Sequence, residues 1–394
     1  MTLQCIGLPH RTTVTSRISA AALFGGSYAG RRVLVTGHSG FKGSWLVLWL
    51  QAMGASVGGL ALPPTRETDH GTLLGLDCDD AWVDLRDAAA VRHALRRFQP
   101  EVLFHLAAQP LVRRSYREPS VTFDTNVTGL VNLLEAVRAT PSVRVVVNAT
   151  SDKCYLNHET ARGFREGDPL GGHDPYSASK ACAEIVSASY RSSFLATDDG
   201  RGHPVALATA RAGNVVGGGD WSEDRLVPDL VRSVTGGAAT SIRNPDSTRP
   251  WQHVLEPLAG YLLLGQRLLA DPVDTAEAWN FGPDASGHLR VADVVDAMAS
   301  HWPAVRAVVE PATAAAHEAT LLHLDCRKAH ARLGWRPVWD IRTTLARTAQ
   351  WYRLLHEEGD LASHDDLDRY VADARLLGLD WASSADTPAE ARAA

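Results

Sequence analysis

Two side chains that could together remove a proton, Tyr176 and Lys180, stand four residues apart in the stretch DPYSASK. On a helix this spacing puts both on one face, with their β-carbons about 6 Å apart. A cation about 4 Å from a phenolate stabilises it by about 4 kcal/mol at an effective dielectric of about 20, which would lower a tyrosine pKa from about 10 to near 7. The pair is predicted to act as a base on a hydroxyl group, and Ser151 is predicted to hold the reacting oxygen. Because this spacing also occurs by chance in many helices, the prediction depends on the other motifs.

An acid and an amine, Asp152 and Lys153, follow Ser151 directly at the end of the apolar run RVVVNAT. Oxidation of a sugar at C4 makes the hydrogen on C5 acidic, and loss of the C6 hydroxyl then needs both a base and an acid. We assign Lys153 as the base and Asp152 as the acid, an order that the sequence leaves open. The alternative interpretation is a salt bridge at a strand end.

Three glycines, Gly37, Gly40 and Gly43, stand three residues apart where a predicted strand meets a predicted helix. In this context glycines allow a tight turn, the approach of a diphosphate and close packing of helix on strand, while amides at the helix start face the anion. Glycines that merely end a strand are the alternative. We predict a bound dinucleotide that contacts Gly37, His38, Ser39, Gly40, Phe41, Lys42, Gly43, Asp84, Leu85, Leu106, Ala107, Ala108, Tyr176 and Lys180.

The choice of NAD over NADP rests on weaker signals. The acidic residue expected about 20 residues after the turn, on the adenosine ribose, is missing, and Arg66 leaves room for a 2′-phosphate. Asp84 suits the adenine edge, although Asp84 or Asp87 could equally cap a helix. NAD is the predicted cofactor, with residues 105–109 beside its nicotinamide half.

Short β-rich runs alternate with helical stretches from Arg32 to Arg211, which is typical of parallel strands joined by crossover helices. We predict an α/β fold, a Rossmann-type doubly wound parallel sheet with a smaller, interleaved C-terminal substrate-binding lobe. The predicted strands are 33–36, 56–61, 102–106, 144–148 and 205–210, and the predicted helices are 44–53, 87–98, 121–139 and 176–195. The predicted domains are a sheet domain (22–211, returning at about 255–282), a lobe (212–254 and 283–380) and flexible ends (1–21 and 381–394).

The composition argues against several functional classes. With 394 residues, 45% hydrophobic and 21% charged, the chain can bury a large core, and its net charge of −6 argues against nucleic acid as a partner. The five cysteines are widely spaced, which predicts a reduced, cytoplasmic protein without a metal site. No apolar run reaches the roughly 18 residues that cross a bilayer, so no membrane partner is expected. Residues 1–21 lack acidic side chains, which leaves a transit peptide as the alternative to a flexible extension.

The chain resembles the CDP-glucose 4,6-dehydratase family over residues 23–351. The motifs that carry the resemblance are LFGGSYAGRRVLVTGHSGFKGSWL, FHLAAQPLVRRSY, NATSDKCY, GGHDPYSASK, RAGNVVGGGDW, IRNPDSTRPWQHVLEPLAGYLLL and LDCRKAHARLGWRPVW. SDK combined with GGHDPYSASK is specific, because related dehydratases of thymidine nucleotides carry TDE and epimerases lack the acidic pair. The chain departs from the family at residues 157–165, which lack its tryptophans, so the preferred base and sugar stay open.

The resemblance implies a hydro-lyase that oxidises CDP-glucose at C4 with NAD, eliminates water across C5 and C6, and returns the hydride to C6. It also implies that Asn214 holds the substrate, that Arg249 pairs with its diphosphate, and that a homodimer or a dimer of dimers forms through two long helices. An arginine fork suits a diphosphate, although an ordinary surface arginine is the alternative for Arg249. A solvated face explains His317 equally well. The predicted substrate-binding residues are Gln109, Asn214, Arg225, Arg243, Arg249, His253 and His317.

Three other functions are compatible with the same fold. They are a sugar-nucleotide 4-epimerase or simple dehydrogenase, a dehydratase of a UDP-, dTDP- or GDP-linked sugar, and a non-catalytic NAD-binding protein. The pair Asp152 and Lys153 argues against the epimerase, and retention of Tyr176 and Lys180 argues against the non-catalytic protein.

Overall fold

The computed structural model describes residues 20–159, 162–195, 203–237, 239–242, 244–310 and 322–383. The strands are β1 (Arg32–Thr36), β2 (Ser56–Ala61), β3 (Asp79–Trp82), β4 (Val102–His105), β5 (Val145–Ala149), β6 (Ala206–Ala212), β7 (Asn214–Val216), β8 (Thr240–Ile242), β9 (Thr248–His253), β10 (Ala278–Phe281), β11 (His288–Arg290) and β12 (Ala307–Val309). The α-helices are α1 (Phe41–Ala52), α2 (His70–Leu74), α3 (Ala88–Phe98), α4 (Val112–Arg117), α5 (Pro119–Phe123), α6 (Gly129–Arg138), α7 (Pro175–Tyr190), α8 (Leu226–Gly236), α9 (Leu255–Ala270), α10 (Pro272–Thr275), α11 (Val291–His301), α12 (Ile341–Glu358) and α13 (Ser363–Leu376).

The main sheet has seven strands in the order β10-β6-β5-β4-β1-β2-β3, and every neighbouring pair is parallel. Successive side chains of a strand point to opposite faces of the sheet, and both faces are buried. In β1, Val35 packs in the same core as Trp49 of α1, whereas Leu34 packs with Leu95 of α3 and Leu133 of α6. The strand order reverses between β1 and β4, where sheets of this kind open a ligand-binding crevice at the carboxyl ends of the strands. The predicted doubly wound α/β fold is confirmed.

Two elements of the sheet layer differ from the prediction. The strand β3 has the sequence DDAW, in which two acidic residues on an exposed edge give no apolar signal. The helix predicted over 121–139 is interrupted by a π turn at Asp124–Thr128 between α5 and α6. The sequence of this turn, DTNVT, consists of residues with weak helix propensity.

The smaller lobe contains two small sheets, β11-β9-β7 and β12-β8. The chain returns from this lobe to the main sheet, where β10 pairs with the edge strand β6. Helices α12 and α13 then follow the lobe in the chain. Helix α13 packs against α1 and α9, since the Tyr370 ring lies 5.7 Å from the ring of Trp49 in α1, and its hydroxyl donates to Glu256 of α9 at 2.7 Å.

The prediction that a flexible tail begins at residue 381 is wrong for Trp381. Trp381 is only 3% exposed and stacks on Phe24 with ring centroids 4.9 Å apart, so it belongs to the core. Its apolar contacts are made with residues distant in sequence, which the local Ala-rich composition does not reveal. Residues 1–19 and 384–394 lie outside the described part of the chain.

Within the described ranges, no helix is long and apolar enough to cross a bilayer. The same residues contain no group of three or more histidine, cysteine or acidic side chains placed to hold a metal ion. The described cysteines, Cys78, Cys154, Cys182 and Cys326, are free thiols.

Candidate active site

A cavity of about 990 Å³ lies where β1, β4 and β5 end, between the main sheet and the smaller lobe. It brings together the glycine turn, the residues after β5 and the start of α7. The predicted site residues that line it are Gly37, Ser39, Gly40, Phe41, Lys42, Gly43, Asp84, Leu85, Leu106, Ala107, Ala108, Gln109, Ser151, Asp152, Lys153, Tyr176, Lys180, Asn214, Arg225 and Arg249.

The glycine turn leaves no room for side chains at two positions. Gly37 has a φ of +73°, and a β-carbon there would lie 2.8 Å from the amide nitrogen of Ala107. A β-carbon on Gly43 would lie 2.0 Å from the carbonyl oxygen of Gly37. Helix α1 then begins at Phe41, and Gly40 before it has no side chain to cap the first amides. Free amides at the positive end of a helix dipole suit a bound diphosphate.

The residues after β5 form a short 3-10 turn, Asp152–Cys154, that Ser151 begins. The Ser151 hydroxyl accepts a hydrogen bond from the Lys153 amide at 3.2 Å and donates to Asp152 Oδ1 at 3.1 Å. The Asp152 side chain is 2% exposed, and its Oδ2 has no hydrogen-bond partner among the described residues. Lys153 Nζ lies 3.8 Å from Asp152 Oδ1, with its side chain 31% exposed. A buried acid and a solvent-accessible amine therefore adjoin the same serine.

Helix α7 presents Tyr176 and Lys180 on successive turns. Asp174 caps the helix by accepting from a backbone amide of its first turn, which fixes where the helix begins. Tyr176 hydrogen-bonds to Ser151, and Lys180 Nζ donates to the carbonyl oxygen of Ala149 at 3.3 Å. The two helical residues thus contact the residues at the start of the turn after β5.

Burial is the largest influence on the pKa values of Tyr176, Lys180 and Lys42 in the cavity. It raises the pKa of Tyr176 to about 12, although the hydrogen bond between Tyr176 and Ser151 opposes this change. The sequence-based expectation of a lowered tyrosine pKa is therefore wrong for the protein alone, because burial outweighs the nearby charges. Burial also lowers the pKa of Lys180 to about 8, against the opposing effect of Glu184. It lowers the pKa of Lys42 to about 7, where nearby Arg225 acts in the same direction.

Two predicted histidines do not line the cavity. The His38 ring packs against β2, where a β-carbon on Gly59 would come 2.5 Å from it, and its Nε2 lies 2.9 Å from Asp80 Oδ1. The predicted contact of its side chain with a diphosphate is therefore wrong. His253 is fully buried, with its ring 4.8 Å from that of Trp339, because the last side chain of β9 turns into the core. Its prediction as a substrate-binding residue is also wrong.

Three cavity residues already have internal partners. The side-chain amide of Gln109 donates to the Leu111 carbonyl at 3.1 Å and accepts from the Leu111 amide at 2.7 Å, so it holds its own loop. The Asp84 carboxylate binds the neighbouring Arg86. Arg225 lies 3.3 Å from an oxygen of Asp220. Arg243 and His317, also predicted to bind substrate, lie outside the described residues.

Two contacts across the cavity mouth were not predicted from the sequence. Arg113 at the start of α4 lies 3.2 Å from Asp224 of the loop 217–225, and Arg66 after β2 donates to the carbonyl oxygen of Trp221 in the same loop at 2.6 Å. All four residues line the cavity. Each contact joins residues more than one hundred positions apart, so no local pattern could reveal it.

Comparison with known proteins places this arrangement in a family. The family model described as GDP-mannose 4,6 dehydratase matches residues 34–348. The chain belongs to this family. It is 48% identical over 328 residues to CDP-glucose 4,6-dehydratase of Salmonella typhimurium, covering 83% of this chain and 91% of the relative. It is 28% identical to dTDP-glucose 4,6-dehydratase of Streptomyces antibioticus, covering 82% and 92%. The predicted resemblance to the CDP-glucose 4,6-dehydratase family is confirmed.

Solved structures agree with this assignment. A dTDP-glucose 4,6-dehydratase from Streptomyces venezuelae with NAD bound matches with a TM-score of 0.68 and 26% identity, over 83% of this chain and 98% of that one. A UDP-glucose 4-epimerase from Thermus thermophilus in complex with NAD matches with a TM-score of 0.67 and 26% identity, over 82% and 99%. Dehydratases and epimerases therefore share this fold, and the residues of the cavity must separate them.

Proposed function

We propose that the chain is an NAD-dependent 4,6-dehydratase that converts CDP-glucose to CDP-4-keto-6-deoxyglucose. The observation that carries the proposal is that Ser151, Asp152, Lys153, Tyr176 and Lys180 line one cavity that also contains the glycine turn. The cytidine nucleotide is favoured by the 48% identity with a CDP-glucose 4,6-dehydratase.

The glycine turn fits the diphosphate of NAD, because Gly37 and Gly43 have no space for side chains and the first amides of α1 are uncapped. Leu106, Ala107 and Ala108 would line the nicotinamide half. Bound there, NAD would supply the hydride chemistry of the reaction, which is removal of a hydride at C4 and its return at C6. The Arg66 guanidinium donates to the Trp221 carbonyl, which supports NAD over a cofactor whose 2′-phosphate would need that arginine.

The residues of the chain supply the proton transfers. Tyr176, hydrogen-bonded to Ser151, takes the proton of the C4 hydroxyl while Ser151 holds the oxygen. Charged Lys180 favours the phenolate form of Tyr176. Lys153 removes the proton on C5, and Asp152 protonates the C6 hydroxyl as it leaves, so that one water is lost and the C5–C6 double bond forms. Asn214 and Arg249 are proposed to hold the sugar and the diphosphate at the lobe side of the cavity.

Mass spectrometry tests this proposal after incubation with CDP-, dTDP-, UDP- and GDP-glucose in turn. We expect CDP-glucose to lose one water, and Tyr176→Phe to abolish the loss. Tyr190→Phe, the same change on the same helix but away from the residues that line the cavity, should leave it intact. Chromatographic separation before mass detection distinguishes the alternatives: a separated isomer of unchanged mass would indicate an epimerase, and unchanged substrate alone would support a non-catalytic protein.

We also propose that the chain forms a homodimer, or a dimer of dimers, through the helices 119–138 and α7. Large apolar side chains are exposed there, including Phe123 at 37% and Ile185 at 58%. Light scattering of Ile185→Glu should then show a smaller particle than the natural chain. Val273→Glu places the same charge at an exposed valine of α10 and should leave the mass unchanged.

A further inference from the structure

A buried ion pair lies next to residues 151–154, which we call the catalytic turn. It takes no part in the proton transfers proposed above. Arg211 of β6 and Glu184 of α7 are 4% and 3% exposed, and Arg211 Nη2 lies 2.8 Å from Glu184 Oε2. Taking two charges out of water costs about as much as their attraction returns, so such a pair adds little net stability. Its hydrogen bonds therefore indicate what else it does.

Glu184 joins three elements through its two oxygens. Its Oε1 accepts a hydrogen bond from the Thr150 hydroxyl, immediately after β5, and its Oε2 accepts one from the Thr209 hydroxyl of β6 at 2.7 Å. Thr150 is the residue between Ala149, whose carbonyl binds Lys180, and Ser151. Glu184 thus holds the first end of the catalytic turn.

Arg211 holds the other end of the same turn. Its Nη1 donates to the hydroxyl of Tyr155 at 2.7 Å and to the carbonyl oxygen of Glu166 at 3.0 Å. Tyr155 directly follows the turn Asp152–Cys154, is 1% exposed, and donates to Asn280 Oδ1 of β10 at 2.7 Å. The two members of one ion pair therefore fix the residues on either side of the segment that carries Ser151, Asp152 and Lys153.

We propose that Glu184 and Arg211 are positioning residues, whose ion pair clamps both ends of the catalytic turn and keeps it in register with Tyr176 and Lys180. This inference rests on the proposed function, because it assigns the pair a role in the geometry of that reaction. Glu184 also stands one helical turn after Lys180, and its negative charge opposes the effect of burial on the pKa of Lys180.

Two matched threonine variants test the clamp. Thr150→Val and Thr209→Val each remove one hydroxyl donor to Glu184 at nearly constant volume, but only Thr150 adjoins the catalytic turn. A misplacement of about 1 Å at a reacting group can cost about 100-fold, so we expect Thr150→Val to lower kcat by about 10- to 100-fold with little change in KM. Thr209→Val should change kcat by less than about threefold while losing similar thermal stability. Equal loss of kcat in the two variants would overturn the inference.

A second measurement tests the charge of Glu184 without needing turnover. The titratable groups that face Lys180 are Glu184 of α7, Cys154 of the turn, His105 of β4 and Lys42 of α1, and Tyr176 and Asp152 line the same cavity. In Glu184→Gln the opposing negative charge is lost, so the pKa of Lys180 should fall below its value of about 8. NMR titration of labelled lysine side chains, with Lys180→Met to identify the signal, measures this directly.

The two measurements separate the possible failures. An unchanged Lys180 titration in Glu184→Gln would overturn the role of the charge, whether or not any nucleotide sugar reacts. If the natural chain turns over no nucleotide sugar, the proposed function fails while this titration still decides the electrostatic part. If the chain is active, its activity should decline on the alkaline side of the pH profile as Lys180 loses its charge. In Glu184→Gln this decline should begin at a lower pH than in the natural chain. A merely structural role would reduce stability and leave that pH profile in place.

Discussion

Asp152→Asn separates the two halves of the proposed reaction. The change keeps the shape of a side chain that is 2% exposed and keeps an oxygen for the Ser151 hydroxyl, but it removes the proton for the departing C6 hydroxyl. A positioned acid contributes about 10²- to 10⁴-fold. Lys153 Nζ, 3.8 Å from Asp152 Oδ1, can donate in its place, which favours the lower part of that range. We expect kcat to fall by about 10²- to 10³-fold, or about 3 to 4 kcal/mol.

The oxidation of C4 should survive this change. Rapid mixing with CDP-glucose should therefore show reduced nicotinamide accumulating in Asp152→Asn, because hydride return to C6 must wait for water to leave. Tyr176→Phe should show no reduction at all. If Asp152→Asn blocks nicotinamide reduction as fully as Tyr176→Phe does, Asp152 acts in the oxidation and its assignment as the acid of the elimination is refuted.

Three further predictions concern the glycine turn and the core. Gly43→Ala brings a β-carbon to 2.0 Å from the Gly37 oxygen, so thermal denaturation should show a loss of about 1 to 3 kcal/mol, and calorimetry should show loss of NAD binding. Trp381→Ala, which removes a ring stacked on Phe24, should cost about 3 to 5 kcal/mol in urea unfolding. Burial raises the pKa of Glu256 from 4.5 to about 7, so the folded chain keeps a proton that the unfolded chain loses. The free energy of unfolding should therefore fall by about 3 kcal/mol as the pH rises from 4.5 to about 7. Glu256→Gln should remove this pH dependence, and the same pH dependence in the variant and the natural chain would contradict the prediction.

The sequence predicts best what depends on local backbone geometry. The glycine spacing and the separation of Tyr176 from Lys180 are fixed within one turn and one helix, and both reach the cavity as expected. Side-chain direction depends instead on the neighbouring strand. His38 turns toward β2 because Gly59 leaves space there, and the paired glycines in VGG are the signal that could have indicated it.

Long-range effects explain the other differences. Pairwise charge reasoning predicts a lowered pKa for Tyr176, but burial, which the sequence does not quantify, raises it. The contact between Arg113 and Asp224 joins the sheet domain to the smaller lobe across 111 positions. Such contacts follow from the completed fold and have no local sequence pattern.

The stacking of Phe24 on Trp381 also bears on how the chain matures during synthesis. Ribosomes add about 5 to 20 residues per second, so Phe24 emerges tens of seconds before its partner ring exists. Trp49 is likewise synthesised tens of seconds before Tyr370 and Trp381, whose rings lie 5.7 and 5.8 Å from its own. The nascent sheet therefore exposes an aromatic surface until its last helices arrive, and chaperone protection over that interval should govern the yield of folded protein.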